Sequence, residues 1–459
     1  MEEIKQNKMG TMPCNQLLLT MSVPMMLSML VQALYNIVDS IFVARLSEDA
    51  LTAVSLAFPV QTLIIAVVGG TGVGINARLS RKLGERRFEE VHITAGNALL
   101  INFIYTAVIM IIGQFAASAY FRMMTPDAEI RAYGTDYLYV IMTLVGALIF
   151  QVTFERLLQS TGLTIWSMIS QTVGAVTNII LDPIMIFGLL GCPRMGVSGA
   201  AIATVVGQFV SALVGFLMNQ KKNPELRLTR ENFRINRGGL SGIISVGFPS
   251  TIMASIGSVM NVGMNAILSG FAQSNAALNV MSVYFKLQSF VFMPVFGLSN
   301  GIIAIIAYNY GARIRERVYG CIKVALTWAI TIMLIGTLIF MLFPGQLMAI
   351  FESEAEAEIT AQMTDIGVVA MRIISSSFLF AAIGITLSTV FQAVGRGVYS
   401  MIMSISRQLV ILLPVAWLIA RLTGDVKAVW WCFPISEAVS LCICLYFYRK
   451  CDRLMLSKI

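Results

Sequence analysis

Residues 17–46 read LLLTMSVPMMLSMLVQALYNIVDSIFVARL. The stretch is apolar almost throughout, and it is long enough for a helix that crosses a bilayer, which needs roughly 20 residues. Two residues are costly in such a helix: Pro24 removes a backbone hydrogen bond and favours a kink, and Asp39 costs about 2.5–3.5 kcal/mol in hydrocarbon. We therefore predict a spanning helix that moves and that carries an ion-binding group near one end.

The composition of the whole chain indicates many such spans. Hydrophobic residues make up 57% of the chain and charged residues 12%, whereas soluble domains contain about 25% charged residues. The seven cysteines show no metal-type spacing, and we interpret them as unpaired. The fold class predicted is an all-α polytopic membrane protein with twelve spans. These spans are 17–43, 51–78, 92–120, 131–157, 164–190, 197–218, 239–269, 274–303, 318–343, 362–391, 398–420 and 427–448.

A long basic segment, residues 221–238, divides the chain near its middle. The motifs before it recur in the same order after it: Pro24 corresponds to Pro249, GINARLSRKLG (74–84) to GIIAIIAYNYG (301–311), and LQSTG (158–162) to FQAVG (391–395). We predict an N-terminal lobe (1–220), a linker (221–238) and a C-terminal lobe (239–459). Each lobe would be a six-helix bundle, and a pseudo-two-fold axis along the membrane normal would relate the two.

The distribution of basic residues predicts the orientation in the membrane. The net charge is +8, and most Lys and Arg fall in one set of alternate loops, which by the positive-inside rule is cytoplasmic. Both termini would then lie in the cytoplasm, the acidic loop 352–358 would lie outside, and the location would be the inner (cytoplasmic) membrane. The excess charge reflects this topology and predicts no nucleic-acid partner.

Four oxygen-bearing side chains have similar predicted depths in the N-terminal lobe. Asp39, Asp182 and Thr204 fall roughly 10–12 Å below the outer surface at 1.5 Å per helical residue. Asn178 lies one turn below Asp182 on the same helix face, so the four side chains can meet in one layer. Two carboxylates in one dry pocket need a proton or a cation, because like charge and desolvation both oppose ionisation. H⁺ and Na⁺ both remain open. With Na⁺, the four side chains would be the metal ligands. The alternative is that the two acids only hydrogen-bond neighbouring helices.

Polar and methionine side chains predict a substrate cavity beside this site. Three polar stripes at helical spacing would face inward together, and methionine surfaces suit varied apolar ligands. Lys286, Arg407 and Glu437 are charges within the C-terminal spans, and we favour internal ion pairing over substrate contact. Glu155 and Arg156 are interpreted as interfacial. The predicted cavity residues are Gln32, Asn36, Met29, Gln171, Gln208, Met260, Asn261, Met264 and Lys286.

These motifs together resemble the multidrug and toxic compound extrusion (MATE) transporters, in their DinF-like prokaryotic branch. The resemblance covers nearly the whole chain and includes P24…YNIVD39, GTGVGINARLSRKLGE (70–85), LLQSTG (157–162) and NIILDPIMIFG (178–188). It implies a cation-coupled exporter of two lobes that works as a monomer. It also implies a cation site at Asp39, Asn178, Asp182 and Thr204, with Tyr35 nearby and helix bending at Pro24.

The function expected is therefore multidrug efflux by H⁺ or Na⁺ antiport. The substrates would be amphiphilic, often cationic organic molecules, and no cofactor is needed. The alternative is a lipid-linked saccharide flippase, which Lys286 and Arg407 would suit. An enzyme is not expected, because the chain contains no paired metal ligands and no set of nucleophile, base and orienting residue.

Overall fold

The computed structural model describes residues 7–226, 235–350 and 357–458. These residues form helices, turns and irregular connections, and no β-strand occurs in these ranges. Ten helices are long and apolar enough to cross a membrane, and two bent helix pairs raise the number to twelve. The predicted all-α polytopic membrane fold is confirmed.

The spans before the basic segment begin and end close to the predicted positions. The helices in this part are α1 (Lys8–Thr11), α2 (Cys14–Ala44), α3 (Glu48–Gly84), α4 (Phe88–Met124), α5 (Ala128–Thr143), α6 (Gly146–Ser160), α7 (Thr164–Phe187) and α8 (Val197–Lys222). Residues 227–234 of the predicted linker lie outside the described residues, so the boundaries of the two lobes stay a prediction.

The second half repeats this order of helices. Its helices are α9 (Arg237–Leu268), α10 (Ser274–Gly311), α11 (Arg315–Leu342), α12 (Pro344–Ala349), α13 (Ala357–Ser375), α14 (Phe378–Ala393), α15 (Gly397–Ile405), α16 (Leu413–Thr423), α17 (Val426–Val429) and α18 (Cys432–Leu454). Most of the predicted acidic loop 352–358 lies outside the described residues.

Three predicted spans are not single straight α-helices. The chain bends by 46° between α5 and α6 and by 48° between α13 and α14, and a π-helical segment (Ser406–Leu412) separates α15 from α16. The second bend follows a run of three serines. The hydroxyls of Ser376 and Ser377 donate to carbonyls three residues earlier, and such bonds compete with the helical ladder.

The two halves contact each other through glycines at the C-terminal ends of α3 and α10. A Cβ atom on Gly84 would lie 2.0 Å from the carbonyl oxygen of Tyr308, and one on Gly311 would lie 2.2 Å from that of Arg81. Only glycine permits such backbone contact. Because Gly84 and Gly311 correspond in the sequence repeat, the joint is itself nearly symmetric. We call this end of the molecule the basic end.

Residues 7–13 form an N-terminal strap that contacts both halves at the basic end. The amide of Asn7 donates to the Glu225 carboxylate at 2.8 and 2.9 Å. From the other half, Arg317 and Asn309 donate to the carbonyl of Met9 at 3.1 and 3.0 Å. Glu225 lies outside the spans, and burial raises the pKa of its carboxyl group to about 7, against an opposing effect of the Asn7 hydrogen bond.

Candidate cation site and central cavity

Two glycines bring α7 and α8 into backbone contact. A Cβ on Gly207 would lie 2.7 Å from the carbonyl oxygen of Gly174 and 3.0 Å from Cβ of Asn178. Asn178 lies one helical turn beyond Gly174, and Thr204 lies on the same side of α8 as Gly207. The glycine contact therefore sets the distance between the polar side chains of the two helices.

Asn178, Asp182 and Thr204 form one buried polar cluster at this contact. The Asn178 amide donates to Oδ1 of Asp182 at 3.1 Å and to the hydroxyl of Thr204 at 3.4 Å. Asp182 is completely buried, and Asn178 is nearly so. The structure thus brings together three of the four side chains predicted to share one depth.

Asp39 of α2 adds a second carboxylate close to this cluster. Its charge acts on Asp182, and Tyr35 lies within electrostatic range of both acids. Tyr137 of α5, which sequence reasoning did not single out, also lies within range of both. Three buried acceptor oxygens have no hydrogen-bond donor among the described residues: Oδ1 of Asp39, Oδ1 of Asn178 and Oδ2 of Asp182. Buried acceptors cost free energy unless a donor or a cation satisfies them, and for the two carboxylates a bound proton can supply the donor.

Pro24 lies inside an uninterrupted α2 and is buried. Because proline lacks an amide hydrogen, the carbonyl of Thr20, four residues earlier, loses its helical donor. The hydroxyl of Thr164, at the start of α7, donates to this carbonyl at 3.3 Å. The proline of α2 is therefore linked to the helix that carries Asn178 and Asp182.

A cavity of about 280 Å³ adjoins the cluster and lies wholly within the first half of the chain. Met25 and Met29 form part of its apolar wall, and Asn178 and Thr204 connect it to the candidate cation site. Four more of its lining residues were predicted for the site or for the cavity: Gln32, Tyr35, Gln171 and Gln208. The polar stripes of α2, α7 and α8 do face one space.

The other residues predicted for the cavity lie elsewhere. Met260 and Met264 are buried in the core of the second half, Asn36 and Lys286 are exposed, and Asn261 is half-buried. None of these five is among the described residues that line this cavity. Methionines at one helical spacing pack equally well into a core or along a cavity wall, so sequence alone does not separate the two arrangements.

Glu155 and Arg156 do not lie at the membrane interface, contrary to their interpretation from the sequence. Both line the cavity, and Glu155 is only 7% exposed. Gln151 donates to its carboxylate at 3.0 Å, and the Arg156 guanidinium reaches across to Asn300 of α10 at 2.9 Å. The signal in the sequence was an acid near the end of an apolar span, and its burial depends on how α6 packs against α7 and α8.

Arg407 and Glu437 form an ion pair within the second half. Their closest side-chain atoms are 3.1 Å apart, and both residues are mostly buried. Arg407 lies in the π-helical segment Ser406–Leu412, and Glu437 lies on α18. The favoured prediction of internal pairing is confirmed for these two residues.

Comparison with known proteins agrees with this arrangement. A family model described as MatE matches the chain twice, over residues 24–184 and 249–418. The chain belongs to the MatE family. The two matches fall on the two halves that the repeated motifs predicted, and MatE membership indicates a transporter rather than an enzyme.

Several proteins similar to this chain are named as transporters. The chain is 26% identical to the multidrug export protein MepA of Staphylococcus saprophyticus over 95% of this chain and 94% of that protein. It is 25% identical to a FAD transporter of Shewanella oneidensis over 95% of each chain. These similarities show a transporter of the multidrug efflux type.

Solved structures show the same two-lobed fold. A multidrug resistance MATE transporter of the MOP superfamily, described as outward-facing, superimposes with a TM-score of 0.90 at 26% identity and covers 99% of each chain. A MOP superfamily transporter from Pyrococcus furiosus superimposes with a TM-score of 0.88 at 26% identity, covering 96% of this chain and 97% of the other.

Proposed function

We propose that this chain exports amphiphilic, often cationic organic compounds in exchange for inward movement of H⁺ or Na⁺. The supporting observation is the group of buried acceptor oxygens on Asp39, Asn178 and Asp182 that have no donor among the described residues. A proton would satisfy one carboxylate, and Na⁺ would take carboxylate, amide and hydroxyl oxygens, including that of Thr204. Tyr35 lies within electrostatic range of both acids.

The charge distribution supports an orientation with the basic end in the cytoplasm. The candidate cation site would then lie toward the outside, where an external ion reaches it. One positive charge that crosses inward releases about 2.3 kcal/mol per 100 mV, which can drive export against a gradient. Ion binding would change the packing of α2 near Pro24 and thereby the affinity for substrate.

The central cavity supports the substrate class proposed. Met25 and Met29 provide adaptable apolar contacts, and Glu155 provides a buried acid that attracts a cation. A lipid-linked pyrophosphate fits less well. Arg407, one of the two cations that would attract it, is already paired with Glu437 at 3.1 Å.

The test is efflux of an ethidium-type dye from vesicles that contain the purified protein, with H⁺ and Na⁺ gradients imposed separately. We expect Asp39→Asn and Asp182→Asn each to abolish gradient-driven export. Asp365→Asn is the matched control, because Asp365 is an exposed acid on α13 in the second half, where it pairs with Lys427 at 2.7 Å. Export at the normal rate by both site variants would show that these acids do not couple transport.

A further inference from the structure

A second cavity, of about 870 Å³, opens at the basic end between the two halves. Its walls come from the end of α3 and the following turn, and from the corresponding end of α10 and its turn. Leu454 at the end of α18, Met455 and Lys458 complete them, together with Gly10 and Thr11 of the strap. It is separate from the central cavity, and no residue lines both among the described parts of the chain. Its volume is within the range of 300–1,000 Å³ usual for small-molecule sites.

This basic-end cavity carries more positive charge than its single acid can neutralise. Glu85 pairs with Arg81 at 3.0 Å and with Lys82 at 2.9 Å. Burial acts to raise the pKa of the Glu85 carboxyl, but the hydrogen bonds and charges of Lys82 and Arg81 outweigh burial and lower it. Glu85 is therefore ionised, and Arg87 lies 3.7 Å from it as well. Glu90, which does not line the cavity, pairs with Lys82 at 2.7 Å and with Arg87 at 2.9 Å. Arg86, Arg313 and Lys458 also line the cavity and make no ion pair with any described acid.

Arg86 and Arg313 occupy corresponding positions on opposite walls. Each follows the last turn of its helix, and each has a φ of 57°, which glycine or asparagine normally adopts at this position. The backbone bonds match as well: Arg87 to Lys82 and Arg86 to Leu83 in one half, and Ile314 to Asn309 and Arg313 to Tyr310 in the other. An arginine in this uncommon conformation thus recurs at the corresponding position of each half.

We propose that the basic-end cavity binds a phosphate-bearing anion between the two halves of the protein. Guanidinium groups bind phosphate oxygens in a planar, bidentate manner, and a cleft lined by one sign of charge concentrates counter-ions. The anion is either a phospholipid headgroup or a soluble phosphate compound. Because Arg86 and Arg313 belong to different halves, the bound anion stabilises the arrangement in which the basic end is closed.

The experiment measures thermal stabilisation of the purified full-length protein in nanodiscs. One arm titrates inorganic pyrophosphate into phosphatidylcholine nanodiscs, and the other replaces part of the phosphatidylcholine by phosphatidylglycerol. The test variant is the double substitution Arg86→Asn and Arg313→Asn, since asparagine tolerates the positive φ and removes the charge. The matched control is Lys221→Gln with Arg453→Gln, which removes two exposed charges at the same end that do not line the cavity.

We expect the wild-type melting temperature to rise with at least one probe, and the double asparagine variant to lose affinity at least tenfold while the control keeps it. A response to pyrophosphate identifies a soluble phosphate compound, and a response to phosphatidylglycerol alone identifies a headgroup. No response to either probe, or an equal loss in the control, overturns the proposal. If the double variant does not fold, Lys458→Gln serves instead and should weaken binding. Because no gradient is used, the result does not depend on the proposed antiport.

Discussion

Replacement of Gly207 by alanine tests whether the contact between α7 and α8 builds the candidate cation site. The new Cβ would lie 2.7 Å from the carbonyl oxygen of Gly174, whereas ordinary contact begins at 3.4 Å. The helices must therefore separate by about 0.7 Å, at an overpacking cost of about 1–3 kcal/mol. Alanine's helix preference, about 1 kcal/mol over glycine, offsets part of this cost.

The separation should break the bond between Asn178 and Thr204 and spare the one within α7. The first, 3.4 Å long, bridges the two helices, and the second, 3.1 Å long from Asn178 to Asp182, does not. An increase of about 0.7 Å lengthens the first to roughly 4 Å, beyond hydrogen-bond range. If the Thr204 oxygen contributes about 1.4 kcal/mol, at the upper end of a typical hydrogen bond, its loss weakens ion binding roughly tenfold.

The assay is dye export from vesicles, with the external H⁺ or Na⁺ concentration varied to find the value that gives half the maximal rate. Gly207→Ala should raise that concentration roughly tenfold. Gly384→Ala is the control, since nothing lies within 4 Å of its added Cβ. If the effect acts through Thr204, Thr204→Ala should add little to Gly207→Ala. An unchanged half-maximal concentration in folded Gly207→Ala would refute this reasoning.

Two further predictions concern the basic end. Burial raises the pKa of the Glu225 carboxyl to about 7. The protonated carboxyl therefore stabilises the docked strap fully below pH 4.5, the ordinary pKa of this group, and the stabilisation is lost as the pH rises through 7. Hydrogen-exchange protection of residues 7–13, taken relative to the intrinsic exchange rate at each pH, should therefore fall from pH 6 to pH 8 in the wild type and stay constant in Glu225→Gln; an equal fall in both would contradict this. The thiols of Cys14 on α2 and Cys321 on α11 lie 2.7 Å apart, so an added oxidant should join them, fix the two halves together and stop export until a reductant is added. Export that continues in the cross-linked protein would contradict this, and Cys14→Ser should not respond to the oxidant.

The membrane-spanning helices of this protein could be predicted because each depends on the hydrophobicity of its own stretch of sequence. A run of about 20 apolar residues needs no knowledge of its neighbours, and the repeated motifs gave the two halves. The π-helical segment at Arg407 was not predicted, although Pro414, two residues after it, interrupts the helical ladder of the preceding turn. The bend between α13 and α14 has a signal in the sequence, the run of three serines. Hydropathy does not detect it, because hydropathy does not reflect hydrogen bonds from side chains to the local backbone.

The residues of the candidate site could be predicted where polar side chains recur at helical spacing on one face of a single helix. Gln32 and Tyr35 share a face of α2, and Asn178 and Asp182 share a face of α7, so each stripe needed only an inward orientation. Glu155 was misplaced because its depth relative to the helix end says nothing about which helices cover it. Met264 was misplaced because an apolar side chain carries no mark that separates a core from a cavity wall.

The position of α2 explains how ion binding in the first half could change the conformation of both halves. The unsatisfied oxygens described here all lie in the first half, whereas the Arg407–Glu437 pair in the second is already neutralised. Helix α2 carries Asp39 toward one end, and toward the other its backbone at Met26 lies 2.7 Å from the Cβ that Gly297 of α10 would have. A helix pressed this closely to α10 cannot shift near Pro24 without displacing α10, because packed backbones do not compress. Under the proposed function, a single ion at Asp39 therefore acts on the second half through α2, and the second half needs no ion site of its own.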